Sequence, residues 1–71
     1  MDFDEYNRRM QLIHDELKYI AEKTKNQAWL KSADFSNPEF VALMRRHSEL
    51  TQLSANLSNW MMDQLQKNEN M

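Results

Sequence analysis

The sequence predicts an all-α protein, a two-helix antiparallel hairpin that pairs with a second copy into a dimeric four-helix bundle. Three observations predict it. The 71 residues include no glycine and one proline, so turns that need a positive φ are scarce. Apolar residues recur at helical spacing on both sides of one short interruption. That interruption carries a strong helix-start signal, which places a single corner between two long helices.

The first helix is predicted over residues 3–31. Its apolar residues are spaced alternately three and four apart, which is the heptad pattern of a packing face. This stripe consists of Phe3, Tyr6, Met10, Ile13, Leu17 and Ile20. Asp2 and Glu5 stand at its start in the spacing of a capping box. At 1.5 Å per residue, the helix is expected to be a rod of roughly 40 Å.

The corner is predicted over residues 32–36, and local features there mark the start of the second helix. The segment reads Phe35-Ser36-Asn37-Pro38-Glu39-Phe40. Ser36 would be the N-cap with Glu39 as its reciprocal partner, and the two flanking phenylalanines would form a hydrophobic staple. The proline falls in the first turn, where its missing N–H costs nothing. Asn37 as the N-cap, with the proline at N1, is a one-residue variant of the same prediction.

The second helix is predicted over residues 37–66, and the aperiodic tail at 67–71 is expected to fray. Its stripe at helical spacing consists of Phe40, Leu43, Met44, His47, Leu50, Leu53, Leu57, Trp60, Met61 and Leu65. The connection of about four residues makes the helices antiparallel neighbours. The whole chain is therefore predicted to be one helical-hairpin domain over residues 1–71.

Folding the hairpin about residue 34 pairs residue i with roughly residue 68 − i. Phe3 then lies opposite Leu65, and Ile20 lies opposite His47. The line of contact between the helices, which we call the seam, is predicted to contain Met10, Ile13, Leu17, Leu50 and Leu57.

Two helices of this size cannot cover both apolar stripes. Below roughly 70–80 residues a single core supplies about 3–5 kcal/mol, so small proteins use disulfides, metals or association. The chain has no cysteine, which leaves association, either as a two-fold homodimer or with a larger protein. The residues predicted to contact a partner are Tyr19, Trp29, Leu53 and Trp60; Leu12 also lies off the seam.

The composition argues against several function classes. Without glycine, neither a phosphate-binding glycine loop nor a Gly-x-Ser-x-Gly nucleophile elbow is possible. His14 has no metal-ligating neighbour at helical spacing. His47 is predicted to be a core or interface histidine bonded to Glu22 or Thr24, with a pH-sensitive interface as the alternative. We predict no metal, cofactor or catalytic residue. The acidic first residues do not resemble a signal peptide, and no apolar run approaches the ~20 residues of a membrane span. These features predict a cytoplasmic, non-enzymatic protein.

Two short segments resemble known families. Ser36 to Ala42, followed by a long helix, resembles the hairpin turn of type III secretion needle subunits, which implies self-assembly through a hairpin. His47 to Leu53 resembles a stretch of the small helical-hairpin phosphatases that act on sporulation response regulators. Thr51 stands where those phosphatases carry their functional aspartate. Both resemblances are local, and the chain is assigned to no family on them.

The predicted function is that of a protein–protein interaction module: a small bacterial or phage regulator, inhibitor, adaptor or secretion-type chaperone that acts by helix-face docking. One alternative is a transcriptional regulator that binds nucleic acid through basic residues near the corner. These are Lys23, Lys25, Lys31, Arg45 and Arg46. The net charge of −2 and the interleaved acidic residues argue against that partner. A self-assembling structural hairpin subunit is the other alternative.

Overall fold

The computed structural model describes residues 1–69, with side chains through Lys67. Two α-helices cover most of this range: α1 at Phe3–Trp29 and α2 at Pro38–Glu69. They pack against each other as a hairpin without any strand among the described residues, so the predicted all-α helical hairpin is confirmed. The rod measures 55 × 18 × 15 Å. We call the end opposite the corner the open end.

The start of α1 is capped by Asp2. Its Oδ1 accepts the backbone N–H of Glu5 at 2.7 Å, as an N-cap side chain does. The carboxylate of Glu5 does not complete a capping box; it accepts from Arg9 one turn later, at 2.6 Å. The sequence signal therefore locates the helix start, while the second half of the motif is replaced by an i,i+4 ion pair.

The end of α1 is a Schellman turn built on a lysine. The N–H of Ser32 donates to the carbonyl of Gln27 at 2.7 Å, and the N–H of Lys31 donates to Ala28 at 3.1 Å. Lys31 has a φ of 59°, the left-handed conformation that this motif requires and that glycine usually supplies. The predicted continuation to residue 31 is therefore wrong by two residues, because the turn reverses the chain after Trp29.

The corner comprises residues 30–37, and Asn37 joins its two sides. The Oδ1 of Asn37 accepts the N–H of Glu39 at 3.1 Å, and its Nδ2 donates to the carbonyl of Ser32 at 2.9 Å. Ser36 is not the N-cap, because both its N–H and its hydroxyl donate to Asp34. The one-residue variant, with Asn37 as the N-cap and proline at N1, is the arrangement observed.

The two phenylalanines around the cap do pack together. The rings of Phe35 and Phe40 lie 5.6 Å apart, edge to face, as a staple across the helix start would place them. At its other end, α2 continues to Glu69. The predicted fraying tail is thus helical as far as residue 69, and residues 70–71 lie outside the described range.

The seam holds a small core. Its buried residues are Ile13, Ile20, Leu50 and Leu57. Partly buried residues packed against them are Tyr6, Met10, Leu17, Leu43 and Met44. The structure thus places all five predicted seam residues in one cluster, drawn from both helices.

The register differs from the one predicted. The ring of Trp60 lies 5.5 Å from that of Phe3 and 5.9 Å from that of Tyr6, where the prediction placed Leu65 opposite Phe3. Trp60 has more apolar surface to bury than a leucine, and its packing sets the register at the open end. His47, predicted opposite Ile20, is exposed.

Candidate docking groove

An open groove of about 440 Å³ runs between the helices on one face of the rod. Three buried seam residues, Ile13, Leu50 and Leu57, lie at its floor. Its sides are Leu12 from α1 and Leu53 from α2. The groove is therefore a mostly aliphatic channel bounded by two helices.

The positions of the two side leucines explain why the groove exists. Leu12 directly precedes the buried Ile13, so it is turned about 100° away from the seam. Leu53 lies three residues after Leu50, at the edge of the same face. Leu12 is 63 % exposed and Leu53 45 % exposed. The apolar stripe of each helix is thus wider than the seam, and the excess forms the groove sides.

A charged cluster borders the groove. Arg46 of α2 reaches across to Glu16 of α1, with Nη2 3.0 Å from Oε1 and a second contact from Nε to Oε2. Its Nη1 also donates to Glu49 at 3.0 Å. Two parallel hydrogen bonds from one guanidinium fix both the position and the orientation of the carboxylate that accepts them. This cluster therefore links α1 to α2 beside the aliphatic channel.

The ionisation of this cluster follows from its hydrogen bonds. The Arg46 guanidinium lowers the pKa of Glu16 below its ordinary value, chiefly by hydrogen bonding. Glu16 and Glu49 in turn raise the pKa of Arg46 by hydrogen bonding. All three side chains remain substantially exposed, so water and salt screen their attraction. Their main effect is to hold a fixed charge pattern at the groove edge.

The four residues predicted to contact a partner do not form one surface. Leu53 lines the groove. Trp60 is half-buried against aromatic rings of the hairpin itself. Tyr19 is exposed, with the ammonium of Lys23 5.6 Å from its ring centre. Trp29 ends α1 and is 87 % exposed.

Other groove residues were less evident in the sequence. Leu12 was recognisable as an apolar residue off the seam. Arg9, Glu16, Arg46 and Asn56 also line the groove, and the pairing of Glu16 with a residue thirty positions away depends on the register. A helical-wheel projection built on the correct register would have found them.

Two of the five residues in the predicted basic patch near the corner contact other side chains of the hairpin. Arg46 is bound to two glutamates, and Lys23 lies over Tyr19. His14 and His47 are both exposed. Across residues 1–69, no three histidine, cysteine or carboxylate side chains are grouped in a way that would hold a metal ion.

One buried polar side chain lies near the end of α1. Gln27 is 8 % exposed, and among the described residues neither its amide nitrogen nor its amide oxygen has a hydrogen-bond partner. Its backbone carbonyl is used by Ser32 in the Schellman turn. A buried amide that stays without partners costs about 1–3 kcal/mol, so we predict that Gln27 lowers the stability of the corner end of the seam.

Comparison with protein-family models, curated proteins and solved structures found no match to this chain. Neither α1 nor the described part of α2 is apolar enough over a sufficient length to span a bilayer.

Proposed function

We propose that this chain is a non-enzymatic protein–protein interaction module that acts by helix-face docking through the groove. The observation that carries the proposal is the exposed aliphatic channel between the two helices. Its two sides are the exposed side chains of Leu12 on α1 and Leu53 on α2. Two exposed leucines on either side of a channel can pack into the surface of another helix.

The exposed surface supports a second copy as the occupant. A self-contained monomer of 8.6 kDa has an accessible surface of about 4,700 Å² by the usual size scaling. This chain has 5718 Å², about 1,000 Å² more. A standard interface removes roughly 800 Å² from each partner. Pairing two hairpins face to face would remove a comparable area and produce a dimeric four-helix bundle.

A larger protein would then dock at the corner of this bundle. Trp29 is 87 % exposed there, and Leu30 and Phe35 are also largely exposed. These side chains project from a corner fixed by the Schellman turn and the Asn37 side chain. Preorganised aromatic residues are frequent binding hot spots. This arrangement suits a small bacterial or phage regulator, inhibitor, adaptor or secretion-type chaperone working in the cytoplasm.

Sedimentation equilibrium at micromolar concentration tests the groove. We expect the wild-type chain to sediment at twice its 8.6 kDa mass. Leu53→Asp should shift it to the monomer, because a carboxylate would be buried without a partner in the interface. Met62→Asp is the matched control, since Met62 is similarly exposed but does not line the groove, and it should remain dimeric.

Circular dichroism of each variant shows whether it is folded. A wild-type chain that is a folded monomer at these concentrations would refute the second copy as occupant. Equal dissociation by Leu53→Asp and Met62→Asp would refute the groove as the contact surface.

A further inference from the structure

We infer that the two copies pair antiparallel, about a two-fold axis that crosses the rod at Leu12 and Leu53, so that the corner of each hairpin lies beside the open end of the other. This inference rests on the proposed function, because it specifies the orientation of the dimer formed through the groove. It is carried by where the groove leucines lie along the rod and by how charge is distributed on the two sides of that axis.

The groove leucines lie near the middle of the rod. Leu12 is 17 residues before Trp29, the last residue of α1, and Leu53 is 16 residues before Glu69 at the end of α2. At 1.5 Å per residue, each distance is about 25 Å, close to half of the 55 Å length. An antiparallel pair overlaps along its full length when its axis is at mid-rod. In a parallel pair the two rods overlap along their full length wherever the contact residues lie, so that orientation does not require contact residues at mid-rod.

The two sides of the axis at Leu12 and Leu53 differ in net charge. The open-end side, residues 1–11 and 54–69, has five acidic and three basic residues, a formal charge of −2. The corner side, residues 13–52, has six acidic and six basic residues, a formal charge of 0. Antiparallel pairing places each negative side beside a neutral side. Parallel pairing places the two negative sides beside each other, which is unfavourable and selects against that orientation.

The charged cluster on the groove edge fits the same geometry. Glu16, Arg46 and Glu49 hold one another, so they have a fixed pattern when a second copy approaches. They lie on the corner side of Leu12 and Leu53 in both helices. A perpendicular two-fold axis between the leucines therefore places one such cluster on each side of the aliphatic centre, where they form part of a polar rim.

Spin labels on single cysteines test the orientation, and the natural chain contains no cysteine that would interfere. Lys25→Cys and Lys67→Cys place labels at exposed positions on the corner side and near the open end. Each is 13 or 14 residues from the axis leucine of its helix, about 20 Å along the rod. In an antiparallel dimer, identical labels are then about 40 Å apart along the rod. In a parallel dimer they are separated by little more than the width of the bundle.

His14→Cys is the matched control. His14 is exposed and only two residues along α1 from Leu12, but about 200° around the helix from it. Its labels are therefore level with the axis and separated by about the thickness of the bundle in either orientation, so they report dimer formation alone. Pulsed electron double resonance gives these distances. We expect a separation of about one bundle thickness for His14→Cys, long distances for Lys25→Cys and Lys67→Cys, and a short distance in dimers mixed from the last two variants.

Short distances between identical labels at Lys25→Cys, in a sample that sediments as a dimer, would overturn the antiparallel orientation and leave the groove as the dimer contact. Samples that sediment as monomers and give no intermolecular distance at His14→Cys would overturn the dimer itself. The two failures are therefore distinguishable in one set of measurements.

Discussion

Leu50 and Leu53 are the same residue type, one helical turn apart on α2, yet they lie in different environments. Leu50 is 1 % exposed in the seam, while Leu53 is 45 % exposed at the side of the groove. The same contrast separates Ile13 from its neighbour Leu12 on α1. Burial in the seam stabilises the hairpin, whereas exposure in the groove leaves apolar surface that we propose is used for association. One apolar stripe in the sequence therefore divides into buried and exposed positions.

The largest expected effect comes from truncating the seam. Leu50→Ala should lower the free energy of unfolding by about 2–5 kcal/mol, through lost burial and the cavity left behind. That is comparable to the whole stability of a core this small, about 3–5 kcal/mol, so much of the variant should be unfolded at 25 °C. Urea unfolding followed by circular dichroism measures the change.

Leu53→Ala is the matched control for Leu50→Ala. Measured at a protein concentration low enough for the monomer to dominate, it should unfold nearly as the wild type does, because its side chain is already half exposed. Equal losses for the two substitutions would contradict the distinction between seam and groove.

A smaller effect of opposite sign is expected at the corner end of the seam. Gln27→Met replaces the unpartnered amide with an apolar chain of similar length and should raise the free energy of unfolding by about 1–3 kcal/mol. Thermal unfolding should detect this, since about 1 kcal/mol shifts the midpoint of a domain this size by roughly 4–8 °C. The dimer affinity should stay unchanged, because Gln27 does not line the groove. A lower melting temperature would mean that the amide is stabilising.

The smallest effect concerns the charged cluster that spans the seam. Because Arg46 lowers the pKa of Glu16 in the folded chain, this pair stabilises the fold above the ordinary glutamate pKa of about 4.3. The contribution is lost as the pH falls through the lowered folded value.

Comparing the wild type with Glu16→Gln across pH 2–6 isolates the effect of Glu16. Asp34, whose pKa is also lowered, by hydrogen bonds from Ser36, contributes in both proteins. The stability difference should be small and should vanish at the acid end of the range. A difference that stays constant across the range would show that ionisation of Glu16 does not stabilise the fold.

Features of the fold that depend on local chemistry were predictable from the sequence. The Asp2 cap, the packing of Phe35 on Phe40 and the antiparallel hairpin each follow from residues near one another in the chain. The N-cap of α2 was ambiguous by one residue, because both Ser36 and Asn37 are good capping residues. The structure distinguishes them through Asp34, which binds Ser36 and leaves Asn37 to cap the helix.

Features that depend on the backbone conformation of the corner, or on how the two helices align, were not predictable. The turn at Lys31 gives no sequence signal, since its left-handed residue is usually glycine and here is a lysine. The register depends on how Trp60 packs with two aromatic rings of α1, a choice that helical spacing leaves open. The pairing of Glu16 with Arg46 followed from that register and could not be read from either helix alone.

The different surroundings of Trp29 and Trp60 provide two intrinsic fluorophores that report on opposite ends of the rod. The indole of Trp29 is almost fully hydrated and accessible to a dissolved quencher such as iodide. Trp60 lies half-buried against Phe3 and Tyr6, so we expect its emission at shorter wavelength and weaker quenching. Replacing either indole with phenylalanine leaves a spectroscopic probe of one end, so binding at the corner and opening of the helix pair become separately observable without an added dye.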